Sequence, residues 1–169
     1  MSNDILFYNE TLKRHIDFNE MIGELVKYIQ ENEKAEYKIN VGTDSNASPW
    51  AQFVTAVTVL RVGNGGRYFW TRSEKIFCPN LASRIYKETM QSITFTQELK
   101  SRLKEKLGEE FFWPARNGDN QISVHIDVGK KGPTKDLVDG VVGMVKGYGF
   151  EAVIKPYSFG AFVVADRHT

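Results

Sequence analysis

From Asp17 onward the apolar residues switch between two spacings, and the switches mark the elements. Met21, Ile22, Leu25, Val26 and Ile29 recur at intervals of three and four, which gathers them on one helical face. The pattern predicts a helix to about Glu33, opened by Asp17 and Glu20 as a capping box. The period then drops to two. In "YKINVGTD", Tyr37, Ile39 and Val41 fall on one parity, and Lys38, Asn40 and Asp44 on the other. "QFVTAVTVLRV" and "RYFWTRSEKIF" continue as β-branched and aromatic strands around "GNGG" at 63–66, whose residues tolerate the positive φ of a hairpin turn. "CPNLASRIYKETMQSITFTQELKSRLKEKL" returns to helical spacing and breaks at Gly108.

Beyond it lies a loop with an aromatic knot, Phe111 to Trp113, open between stacking on bases and a structural role. "QISVHIDVG" is again a strand, with Ile122, Val124 and Ile126 on one face and Ser123, His125 and Asp127 on the other. Thr134 is placed to cap a helix to about Lys146, closed by Gly147 and Gly149. "FEAVIK" is a short strand stopped by Pro156, and "SFGAFVVADRHT" a short terminal helix. Residues 1–16 read as an irregular polar lead-in. After the first helix the order is therefore β-β-β-α-β-α-β-α. Short connections make the first three strands an antiparallel meander, and intervening helices demand parallel crossovers for the last two. The economical architecture is α/β: a five-stranded mixed sheet flanked by helices. Residues 1–36 form an N-terminal extension with an extra helix, and 37–169 the main domain.

Composition narrows the class without naming a function. The 169 residues suffice for one domain with a real core, and 41% hydrophobic with 25% charged residues is ordinary for a soluble protein. Twenty-two basic residues against 21 acidic ones give a net charge of +1, so nucleic-acid binding has to rest on local patches. The single cysteine, Cys78, excludes an intrachain disulfide and a cysteine-rich zinc site, and reads as a small packing residue. No apolar run approaches the roughly 18 residues of a membrane span, and the start lacks a signal-peptide pattern. A cytoplasmic protein is expected.

The candidate chemistry is carboxylate. Asp44 and Asp127 each end a strand, on the parity opposite its aliphatic residues. If those strands are parallel neighbours, both acids emerge at the C-terminal sheet edge, where α/β sites are usually built. Two adjacent carboxylates repel and call for a positive charge between them. Glu88 lies on the stripe of the long helix that carries Leu81, Ile85, Phe95, Leu99 and Leu103, where burying a free acid is costly; an ion pair with Arg84, one turn earlier, is its plain alternative. Asp166 follows Phe159, Phe162 and Val163 at helical spacing, or else is a terminal acid paired with Arg167 or Lys155. Oxygen ligands alone suit Mg²⁺ or Mn²⁺, and such a cluster can hold two ions. Ser45 is open between orienting Asp44 and an ordinary turn hydroxyl. Lys131, with Lys130 and Lys135, is open between a phosphate cradle at a helix N-terminus and solvated lysines. Lys155 can reach a phosphate or pair with Asp166. His168 can shuttle protons or is simply penultimate, and His125 is a catalytic group or a satisfied core histidine.

The order of strands, helices and acids resembles the ribonuclease H-like superfamily. More narrowly, "VGTDS", "HIDVG", "KPYSFGA" and "VADRHT" look like the signatures of the YkuK-type family of predicted ribonuclease H-related proteins, over about Tyr37 to Thr169. The resemblance implies a ribonuclease H-like fold and places Asp44, Glu88, Asp127 and Asp166 in the four acidic positions of the active site. It implies a metal-dependent nuclease that cuts RNA, DNA or a hybrid through two Mg²⁺ or Mn²⁺ ions. Against the better-characterised ribonucleases H, the chain has a leading helix, no obvious basic handle and little helix beyond Asp166. The alternative is a non-catalytic nucleic-acid- or protein-binding module on the same fold. A phosphotransferase is a third reading, faintly supported by "DVGKKGPTK", but such proteins usually need two such domains.

Overall fold

The alternation between Tyr37 and Phe77 produces three long antiparallel strands, and the rest of the chain is added to their two sides. The structure is a computed structural model that describes residues 5–112, 121–158 and 168. In chain order its elements are strands β1 (Leu6–Asn9) and β2 (Arg14–Asp17), helix α1 (Phe18–Gln30), and strands β3 (Tyr37–Ser45), β4 (Trp50–Arg61) and β5 (Gly66–Phe77). Helix α2 (Leu81–Leu107), strand β6 (Gln121–His125), helix α3 (Val138–Gly147) and strand β7 (Glu151–Val153) follow, with 3-10 turns at Glu109–Phe112 and Lys135–Leu137. The sheet order is β2-β1-β5-β4-β3-β6-β7. Its β5-β4-β3 part is the expected meander, and β6 and β7 join in parallel.

The sheet has seven strands rather than five, because the lead-in is not irregular. Leu6–Asn9 and Arg14–Asp17 form a hairpin, and β1 pairs with β5 through Tyr8 and Asn9 opposite Trp70 and Phe69. Each strand has four residues, too few for a period to stand out. The Asn9 side chain holds the turn by accepting from the backbone N–H of Thr11 and Leu12. Phe7 is fully buried and meets Phe95 edge-on at 5.5 Å, so the leading segment shares the core of the rest.

One sheet face carries the helices. Ile39, Val41, Val57, Val59 and Val124 are buried there with Leu99 and Leu103 of α2; full burial of one such side chain contributes about 1.5–3 kcal/mol. The capping box at Asp17 forms as expected, with the carboxylate accepting from the Glu20 N–H and Glu20 from the Asp17 N–H. Asn80 caps α2 by accepting from the Ser83 N–H, and Gly108 ends it at φ 91°, a conformation that favours glycine. Thr134 does not cap the next helix, which starts at Val138; its hydroxyl accepts instead from the Gly129 N–H at 3.2 Å. Cys78 is buried beside Ala51 and Phe53, as a packing residue would be. Trp113, Asp166 and the terminal helix, apart from Ser158 and His168, lie outside the described residues. Among the described residues no helix is long and apolar enough to cross a membrane.

Candidate functional site

Strands β3 and β6 run parallel and adjacent, from Lys38 opposite Gln121 to Gly42 opposite His125. Their C-terminal ends therefore open at the same end of the sheet. Asp44 stands one residue before the end of β3, opposite Val54 of β4. Asp127 lies two residues beyond β6, where backbone bonds from Ile126 to Val153 and from Lys155 to Val128 continue the alignment with β7. Helix α2 packs across β3 and β6 and lowers Glu88 onto this end, 5% exposed. The Ser45 hydroxyl donates to Glu88 Oε1 at 2.5 Å, while the Ser45 N–H donates to Asp44 Oδ1 at 2.9 Å. One serine thus ties the strand-end acid to the helix acid. A small cleft is lined by Thr43, Glu88, Ser92, His125 and Asp127.

Burial pushes the Glu88 carboxyl up to about 8; the Ser45 hydrogen bond opposes this, the Asp44 charge adds to it, Arg84 opposes it, and Asp127 adds again. The expected Arg84 pair exists, but its Nε is 4.0 Å from Oε1 and does not offset the burial. Asp127 has a much closer cation, with Lys155 Nζ 2.6 Å from Oδ1. His125 is buried, and its Nδ1 has no hydrogen-bond partner among the described residues. Burial lowers its pKa to about 4, so the ring is neutral at pH 7.

A hydroxyl layer under the acids was not foreseen from the sequence. Thr43 Oγ1 lies 2.9 Å from Thr55 Oγ1 and 2.7 Å from Ser92 Oγ, and Gln91 Nε2 donates to Thr55 Oγ1. These groups satisfy one another in a buried layer, which fixes α2 against β3 and so fixes Glu88. The available signal was Ser92, a small polar residue one turn after Glu88 on the inward stripe.

The supporting residues divide. Lys155 joins the acids through Asp127. Lys131 is exposed on the next loop, whose Gly129 packs so closely that a Cβ there would lie 3.3 Å from Lys155 Cβ. His168 stands apart: its ring stacks on Trp70 at 4.1 Å, its Nε2 is 3.7 Å from Glu10, and its carbonyl accepts from Arg72, all around β1 and β5. Phe111 packs near Tyr37 at the opposite end of β3, about 24 Å from Asp44 at the usual strand rise, and so is structural.

The acids at this sheet end, Asp44, Glu88 and Asp127, offer only carboxylate oxygens, a donor type that suits Mg²⁺ or Mn²⁺ rather than a softer metal. Among the described residues no three acidic, histidine or cysteine side chains are gathered tightly enough to make a metal shell by themselves. The buried acid at Glu88 and the cation on Asp127 are both features that a divalent ion would relieve or replace.

The ribonuclease H-like profile matches residues 20–169. The uncharacterized protein YkuK of Bacillus subtilis (strain 168) is 31% identical over 173 residues, covering 100% of this chain and 99% of that protein. No solved structure matches the chain. A profile that takes in residues 20–169, together with a relative aligned end to end, places the chain in the ribonuclease H-like family.

Proposed function

We propose that the chain is a metal-dependent nuclease that hydrolyses phosphodiester bonds in RNA or DNA. One observation carries the reading: Glu88 is buried at the sheet end where Asp44 and Asp127 emerge, and both raise its pKa. A buried acid within the field of two others stabilises nothing by itself, and strongly perturbed acids cluster at functional sites. Asp44, Glu88 and Asp127 would hold the cations, with Asp166 as the fourth ligand. Bound Mg²⁺ or Mn²⁺ supplies Lewis-acid stabilisation of phosphate charge and a water activated for attack. Ser45 orients Glu88 through its 2.5 Å hydrogen bond. Lys155, 55% exposed, holds Asp127 in the absence of metal and is free to turn to a substrate phosphate once the acid is taken.

The close Lys155 pair also favours a second reading, a nucleic-acid-binding module whose acids are neutralised internally. The two are separated by incubating single-stranded, duplex and hybrid substrates with the protein in Mg²⁺ or Mn²⁺, with Asp44→Asn as control. Metal-dependent cutting that Asp44→Asn abolishes is expected of the nuclease. Binding without cutting of any substrate is expected of the module.

A further inference from the structure

The sheet end that bears the acids also carries exposed aromatic side chains. Trp50 and Phe77 are 58% and 48% exposed, with ring centroids 5.2 Å apart at 45°. They face each other at the start of β4 and the end of β5. On β4 the fully buried Ala51 and Phe53 turn to one side, so Trp50, Gln52 and Val54 turn to the other. Val54 is opposite Asp44. The aromatic pair therefore shares a sheet face with Asp44, about 14 Å further along at the usual rise. Between the two rows Lys75 stands opposite Gln52 and is exposed; the acid of this stretch, Glu74, falls in the bulge. Lys87 of α2 donates to the Phe77 carbonyl and fixes that strand end. On the other flank, two residues past Lys155, Tyr157 is 79% exposed.

Across this end the order is thus aromatic pair, lysine, carboxylates, Lys155, tyrosine. An aromatic ring left in water beside lysines suits a base whose face is free, since stacking needs a π-face and tolerates any sequence. Bases in a duplex have no free faces. A length of 14 Å is about four stacked nucleotides at 3.4 Å each. We propose that this end is a track for single-stranded nucleic acid. Trp50 with Phe77, and Tyr157, stack unpaired bases on either side of the acids, and Lys75 meets the intervening phosphate. The substrate assignment rests on the nuclease reading above; the track itself does not.

The test is fluorescence anisotropy with labelled dT12, U12 and a 12-base-pair duplex, using the Asp44→Asn chain in Mg²⁺ so that no cutting intervenes. Both single strands should bind more tightly than the duplex, and the tighter of the two identifies DNA or RNA. Trp50→Ala and Tyr157→Ala should each weaken binding about five- to 100-fold, while Trp50→Phe keeps most of it. Lys75→Ala should lower the slope of log affinity against log salt by about 0.7. Duplex bound as tightly as single strands, or unchanged affinity in Trp50→Ala, overturns the track. So does a dimer that Trp50→Ala converts to monomer without any oligonucleotide binding, which would make the aromatic pair an interface between copies. Cleavage by the unmodified chain is read separately. Cutting with unchanged Trp50→Ala affinity removes the track alone, and binding with the predicted losses but no cutting removes the nuclease alone.

Discussion

Replacing Glu88 with glutamine should stabilise the metal-free protein, and by an amount that depends on pH. In the unfolded chain the carboxyl has a pKa near 4.5; in the fold it is about 8, first because it is buried. Below pH 4.5 it is protonated in both states and no cost arises. Between 4.5 and 8 the folded state holds the proton and the unfolded state releases it, so stability falls as pH rises, and the loss is complete above 8. At about 1.4 kcal/mol per pH unit, the cost at pH 7 is on the order of 3 kcal/mol. Glu88→Gln is neutral at every pH and can still accept from Ser45 Oγ. For a chain of this size the gain corresponds to a Tm higher by about 6–12 °C at pH 7, shrinking to under about 1 kcal/mol at pH 5. Thermal melts of both proteins in EDTA across pH 5 to 8.5 measure it directly. A Tm difference that is absent at pH 8, or that grows toward pH 5, would refute the assignment of Glu88 as a buried, crowded acid.

Two further outcomes follow from the same site. The His125 ring, pushed down to about 4 by burial, contributes stability that is present above its ordinary value of 6.5 and lost as pH falls through 4; its NMR shifts should be those of neutral imidazole at pH 5.5, and an imidazolium there contradicts the burial argument. Lys155→Met removes the cation 2.6 Å from Asp127. Because Lys155 is half exposed, stability should change by less than about 1 kcal/mol, while Mn²⁺ affinity should rise by up to about five-fold as Asp127 is released; calorimetry showing weaker Mn²⁺ binding would count against competition for Asp127.

The parts of the fold legible in the sequence are those with long, clean periods. The strands around "GNGG" and the 27-residue α2 stood out because each repeats its pattern several times. The capping box at Asp17 was legible because it is chemistry confined to four residues. The β1–β2 hairpin was not, since its pairing with Trp70 and Phe69 is decided by tertiary contact and four-residue strands carry no period. At the site, strand parity puts Asp44 and Asp127 at one sheet end, and helical angle turns Glu88 inward. What was not legible is pairing between side chains of distant segments. Lys155 reads as reaching a phosphate or Asp166, which lies outside the described residues, and its pairing with Asp127 is not visible in one dimension. His168 is open in the sequence between a proton shuttle and a merely penultimate residue, and its ring stacks on Trp70. The hydroxyl layer of Thr43, Thr55 and Ser92 joins three elements through single atoms, which no one-dimensional pattern records.

The central claim is that Asp44, Glu88 and Asp127 form one cation site, and titration calorimetry with Mn²⁺ tests it most directly. The unmodified chain should bind Mn²⁺, releasing protons from Glu88 near neutral pH, and binding should be lost in both Asp44→Asn and Asp127→Asn. Mn²⁺ affinity unchanged in both variants would contradict the claim.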